Sequence, residues 1–180
     1  MLPNFGKVIV IDLEMTCWGD EPPPEGQSKE IIEIGICLLN CVTLELSRPR
    51  RIFIKPHRST ISEYCVQLTG ITQDILDAKG ISLNEAYEIL VQEFKIDERI
   101  VAAWGSDCAI LEHELSVKFN QGHINLCALF SILMGSQKRI GLNRALKRID
   151  LNFEGIKHSG GDDALNAAKI LQWMIKKIRL

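Results

Sequence analysis

No apolar run in the 180-residue sequence is long enough to span a bilayer. Its opening, MLPNFGK, also lacks the basic and long apolar regions of a secretory signal. Membrane and export classes are thereby disfavoured, and a soluble protein in the cytoplasm is the expectation. A disulfide framework is missing as well. The six cysteines, at positions 17, 37, 41, 65, 108 and 127, are scattered through apolar segments of a chain large enough to form its own core, so they are expected as buried thiols. Cys37 and Cys41 have a spacing that zinc tolerates, but no second Cys or His pair completes four ligands, so no structural zinc is expected. Charge of one sign is scarce too. A net charge of −2 excludes a protein coated in positive charge, though not a local basic groove. With no internal repeat and no linker-like boundary, residues 1–180 read as one domain.

What is present is globular: 46% hydrophobic and 24% charged residues. KVIVIDLEM is a strand, and EIIEIGICLLN a second, with LELSRPRRIFIKP (Leu44 to Pro56) expected as its hairpin partner. The intervening GDEPPPEGQSK is a surface loop. TISEYCVQLTGITQDIL reads as short helical turns, and SLNEAYEILVQEF as a helix capped by Ser82 with Glu85 three residues on. RIVAAW is a short buried strand, DCAILEHELSVKF a helix starting near Asp107, and HINLCALFSIL a brief strand and helix. GLNRALKRI is an amphipathic helix. GGDDALNAAKILQWMIKKI is the last, with acids in its first turn and lysines in its last, as the helix dipole favours. The pattern predicts an α/β class with a mixed sheet covered by helices.

Within the first strand, Asp12 and Glu14 share a face with Val8 and Val10, while Ile9, Ile11 and Leu13 point the other way. Two adjacent carboxylates continuing a core face are unfavourable unless a cation or proton compensates them. No helix obviously begins there and no neighbouring Lys or Arg answers them. Two further acids stand where such sheets keep their sites, at strand ends and helix starts: Asp107 after RIVAAWGS, and Asp162 and Asp163 after KHSGG. Taken singly, these read as helix caps or first-turn acids. Taken together with Asp12 and Glu14, they form an oxygen-rich set suited to Mg²⁺ or Mn²⁺. Two such ions about 4 Å apart can clamp the attacking and leaving oxygens of a phosphodiester displacement.

DLEMT, the Asp107 segment and HSGGDD, in that order, resemble the three motifs of the DEDDh family of 3′-to-5′ exonucleases, the DnaQ-like group. DLEMTCW, EIIEIG, LTGITQD and GGDDALNAAKI place the resemblance closest to the branch that holds the histone-mRNA 3′-end exonuclease and bacterial KapD-like proteins. It covers nearly the whole chain and implies a ribonuclease H-like fold, a five-stranded mixed sheet with an antiparallel second strand. It also implies that Asp12, Glu14, Asp107 and Asp163 hold two divalent ions, Asp12 touching both, and that His158 is the general base. The family spacing H-x-x-x-x-D selects Asp163 over Asp162, leaving the latter as a cap or supporting acid. His57, His113 and His123 lack that spacing and read as ordinary histidines. In WGSD only Ser106 separates the glycine from the acid where many relatives have two residues, so either the turn is tighter or the aromatic role has moved to Trp104.

By the same resemblance, Met15 and Thr16 contact the terminal nucleotide, and Tyr64 and Leu68 sandwich its base. Core packing is the competing reading for Leu68, and the polar hydroxyl of Tyr64 favours a wet cleft. The basic pieces Arg48–Arg51 and Lys176–Arg179 are expected as solvated faces. The implied activity is hydrolysis of single-stranded RNA or DNA from its 3′ end, RNA or short oligonucleotides first, releasing nucleoside 5′-monophosphates. A non-catalytic nucleic-acid-binding relative is the alternative, weakened by the presence of all four acids and the histidine. A ribonuclease H-type endonuclease is weaker still, because it would need no H-x-x-x-x-D histidine.

Overall fold

In the computed structural model, described for residues 6–136 and 138–179, five strands form one sheet in the order β3-β2-β1-β4-β5. The strands are β1 (Lys7–Met15), β2 (Ile31–Asn40), β3 (Arg50–Phe53), β4 (Val101–Ala103) and β5 (His123–Asn125). β2 runs antiparallel to β1 and to β3, whereas β4 and β5 run parallel to β1. Seven α-helices flank it: α1 (Glu63–Thr69), α2 (Gln73–Lys79), α3 (Leu83–Gln92), α4 (Asp107–Leu115), α5 (Leu126–Leu133), α6 (Leu142–Arg148) and α7 (Gly160–Ile178). None is long and apolar enough to cross a membrane, among the described residues.

The period of two along β1 divides the interior. Ile9, Ile11 and Leu13 face a core with α3 and α4, while Val8 and Val10 face one with α5, α6 and α7. A smaller cluster of Ile32, Cys65, Ile71 and Leu76 sits under α1 and α2. α7 reaches the sheet through Gly160, Gly161, Ala164, Ala167 and Ala168, all buried. At Gly35 on β2 the approach is so close that an added Cβ would collide with the backbone of Gly160 and Gly161. The cysteines are free thiols, four of them buried.

Several elements are shorter than the sequence predicts: the strand expected at RIVAAW is confined to Val101–Ala103, the helix expected through Phe94 ends at Gln92, and two others fall well short. The hairpin partner expected over Leu44–Pro56 makes a ladder only at Arg50–Phe53, with an isolated bridge between Leu39 and Leu46. Leu44 has a positive φ of 63° and Pro49 has no N–H to contribute, which confines the regular pairing to the residues beyond. The helix expected over Asp107–Phe119 stops at Leu115 because Ser116 is left-handed and its N–H returns to the carbonyls of Glu112 and His113. The Glu112 carboxylate then accepts from the Phe119 amide at 2.7 Å, fixing the turn. The capping box of Ser82 and Glu85 forms as expected.

Candidate active site

β1 delivers Asp12 and Glu14 to the α7 face of the sheet, where the register sets Asp12 opposite Gly35 and Glu14 opposite Glu33. Directly opposed residues of an antiparallel pair share a face, so Glu33 joins the two acids. After β4, the bend at Gly105 and Ser106 leads straight into α4, whose first residue is Asp107. The tighter turn is therefore the one realised. Trp104 packs 5.7 Å from the Phe130 ring and donates its indole N–H to the Ile140 carbonyl at 2.9 Å, which makes it a core anchor. Asp107 does not serve as a cap, since the N-cap is Ser106.

The fourth acid comes from the first turn of α7. Ligand atoms of Glu14, Asp163 and His158 lie within 4.8 Å of one another. His158 adopts a φ of 60°, and its amide donates to the Asp163 carboxylate at 2.7 Å. Asp162 turns away and accepts from the Ile156 amide at 2.9 Å. A further clamp holds this loop: fully buried Asn166 donates to the carbonyls of Glu154 and Asp162 and accepts from the Glu154 amide.

Electrostatics of the site follow from burial and crowding. Burial first, then the charges of Asp107, Asp163, Glu14 and Glu33, drive the Asp12 carboxyl well above the usual carboxylate range. Glu14 is pushed up to about 8 by burial and by Asp163, Glu33 and Asp107, with Arg51 opposing. Asp163 is pushed up to about 6, again chiefly by burial, while the His158 amide and ring hold it back. Burial raises Asp107 too, moderated by backbone amides of Asp107 and Leu13. Such a group cannot be fully ionised without a compensating cation. The donors converging here are carboxylate oxygens with no thiolate among them, the set that hard divalent ions prefer.

Two residues essential to this geometry escaped the sequence reading. Glu33 is fully buried; Arg51 donates to it through Nε at 2.8 Å and through a terminal nitrogen at 2.6 Å. The same carboxylate accepts the Gly161 amide at 3.1 Å. Glu33 thus ties the start of α7 to β2 and β3, directly behind Asp163. Arg51, expected on a solvated face, is exposed as expected but is also stacked 4.8 Å over the Phe53 ring and paired with Glu33. The available signal was Glu33 itself, an acid inside the apolar run of β2, but its position beside Glu14 depends on a strand register that spacing alone does not disclose.

The family model for exonucleases of the RNase T type matches residues 9–171. The chain belongs to that exonuclease family. Human ERI1 exoribonuclease 2 is 30% identical over an alignment that covers 96% of this chain and 29% of that protein. The Drosophila melanogaster 3′-5′ exonuclease Snipper is 29% identical, with 96% of this chain and 70% of that one covered. Among solved structures, the nuclease domain of 3′hExo, a DEDDh family member bound to rAMP, aligns with a TM-score of 0.82 at 26% identity, covering 97% of this chain and 94% of that one. The chain therefore spans under a third of the length of the human relative. The expected sheet, with its antiparallel second strand, is the fold this exonuclease family shares.

The residues that the family resemblance assigns to the terminal nucleotide divide into two kinds. Tyr64 is 46% exposed and its ring lies against Gly19, in the loop that continues β1. Leu68 lies one helical turn further along α1, half-buried and on the same face. A cavity of about 460 Å³ opens beside Tyr64 and Trp18. Met15 is half-buried at the end of β1 and packs on the α3 side of the core. Thr16 is fully buried; its hydroxyl donates to the Ser28 carbonyl at 3.1 Å and accepts from the Glu30 amide at 2.9 Å. With its hydroxyl engaged at both ends, Thr16 fastens the end of β1 to the Ser28–Glu30 segment, while its backbone lies next to Met15.

Proposed function

We propose that this protein is a 3′-to-5′ exonuclease that hydrolyses single-stranded nucleic acid, RNA or short oligonucleotides, one nucleotide at a time to nucleoside 5′-monophosphates. The observation that carries this reading is that Glu14, Asp163 and His158 bring ligand atoms within 4.8 Å of one another, while Asp12 and Asp107, from β1 and α4, lie near enough that the acids raise one another's pKa. Preference for RNA is supported by the relatives named exoribonucleases. Asp12, Glu14, Asp107 and Asp163 would hold two Mg²⁺ or Mn²⁺ ions. When bound, the ions polarise the phosphoryl oxygen and make water nucleophilic near neutral pH.

The chain's own groups do the rest. Tyr64 and Leu68 offer a face on which the last base can stack without regard to its identity. His158 stands beside the carboxylates with its backbone pinned to Asp163, and takes the proton of the attacking water. Glu33 and Asn166 keep α7 and the histidine loop in register with β1.

A 5′-labelled single strand should shorten into a one-nucleotide ladder in Mg²⁺ or Mn²⁺, and a 3′-phosphate should slow it greatly. His158→Ala should bind the strand but cut about 10²–10⁴-fold more slowly. Cleavage of a circular single strand at the linear rate would overturn the exonuclease reading.

A further inference from the structure

A cavity of about 580 Å³ is lined on one wall by His158 and Asp163. Its other walls come from α6 and from the loop before α7: Arg144 and Lys147 one helical turn apart, then Phe153 and Lys157. It shares no lining residue with the cavity beside Tyr64 and Trp18. The three cations are exposed and make no salt bridge among the described residues. That sets them apart from Arg50 and Arg51, which are paired with Glu93 and Glu33.

We infer that this cavity is the subsite for the phosphates upstream of the scissile bond, with Arg144, Lys147 and Lys157 gripping the backbone of the strand's next nucleotides. The inference rests on the exonuclease reading and extends it from the terminal nucleotide to the body of the substrate. A polyanion approaching four clustered carboxylates is repelled unless positive charge lies along its path. The unpaired cations of this chain that border the catalytic residues supply it. Connectivity agrees. If the terminal nucleotide lies at Tyr64 and its 5′ phosphodiester at the acids, the strand must continue past His158, and the cavity begins there. Phe153, half-buried in its wall, adds an aromatic edge for a sequence-tolerant base contact.

The double variant Arg144→Gln/Lys147→Gln tests this without touching the core, since both side chains are exposed and Gln keeps helix propensity. Two readouts are needed. In the first, the ratio of kcat/KM for a hexanucleotide to that for a dinucleotide should fall about tenfold, because only the longer substrate reaches the cations; this corresponds to about 1.4 kcal/mol. In the second, fluorescence anisotropy of a labelled hexanucleotide without divalent ions should show log Kd depending less steeply on log salt, by about 1.4 for two lost phosphate contacts. An unchanged ratio and an unchanged salt slope together overturn the subsite. If the wild-type protein hydrolyses neither substrate, the exonuclease reading fails, while the binding slope still decides the subsite.

Discussion

Asp12 and Glu14 are in tension with the fold that positions them. In the metal-free protein the folded-state pKa of Glu14 is raised, to about 8, so between its ordinary value near 4.5 and that point the folded state holds a proton the unfolded chain has released. Stability of the metal-free protein should therefore fall as pH rises through this window, with Asp12 and Asp163 adding to the slope. Asp12→Asn should flatten the decline, raise the thermal midpoint in EDTA at neutral pH, and abolish turnover. A midpoint in EDTA that is independent of pH, or a variant of normal activity, would contradict this account. These acids were legible because a period of two makes two carboxylates on a core face visible. Asp163 and His158 were legible through a motif. How Thr16 is held was not legible, because a motif position reports proximity to the site and only the hydrogen bonds to Ser28 and Glu30 disclose which way the hydroxyl points.

At the scale of elements, α7 and β1 were predicted to within a residue, since one is bounded by glycines and lysines and the other by its acids. β3 and α4 came out short because a left-handed residue, Leu44 or Ser116, ends regular structure wherever tertiary contacts require a turn. The joint between β2, β3 and α7 could not be read at all, because it exists only when the register brings Glu33 under Gly161. Glu33→Ala leaves a partly exposed guanidinium and a buried amide without their partner, and should destabilise the protein by about 2–4 kcal/mol by denaturant unfolding. Glu33→Gln retains an acceptor for the Gly161 amide and should lose less. Equal stability of the Ala variant and wild type would remove Glu33 from the joint.

Considered as a whole, the molecule gathers its acids on one side of α7 and leaves unpaired cations on the neighbouring α6, a polarity that its net charge of −2 conceals. Divalent ions that bind only the folded state should stabilise it by about 2.7 kcal/mol at a concentration one hundred times Kd. Titration with Mg²⁺ or Mn²⁺ should then raise the thermal midpoint of the wild type but not that of Asp163→Asn, and activity should vanish in EDTA. A midpoint indifferent to both ions would leave the carboxylates without their cation. The close seating of α7 on Gly35 has a kinetic corollary. Its first turn holds Asp163, one of the clustered acids, and is sealed to the sheet by the Glu33 carboxylate, so that turn should not fray like an ordinary helix end while ions are bound. Hydrogen–deuterium exchange at the amides of Gly161 and Asp163 should slow sharply on adding divalent ions, whereas the exposed C-terminal turn near Lys177 keeps its rate. The helix would then unzip from its lysine end first.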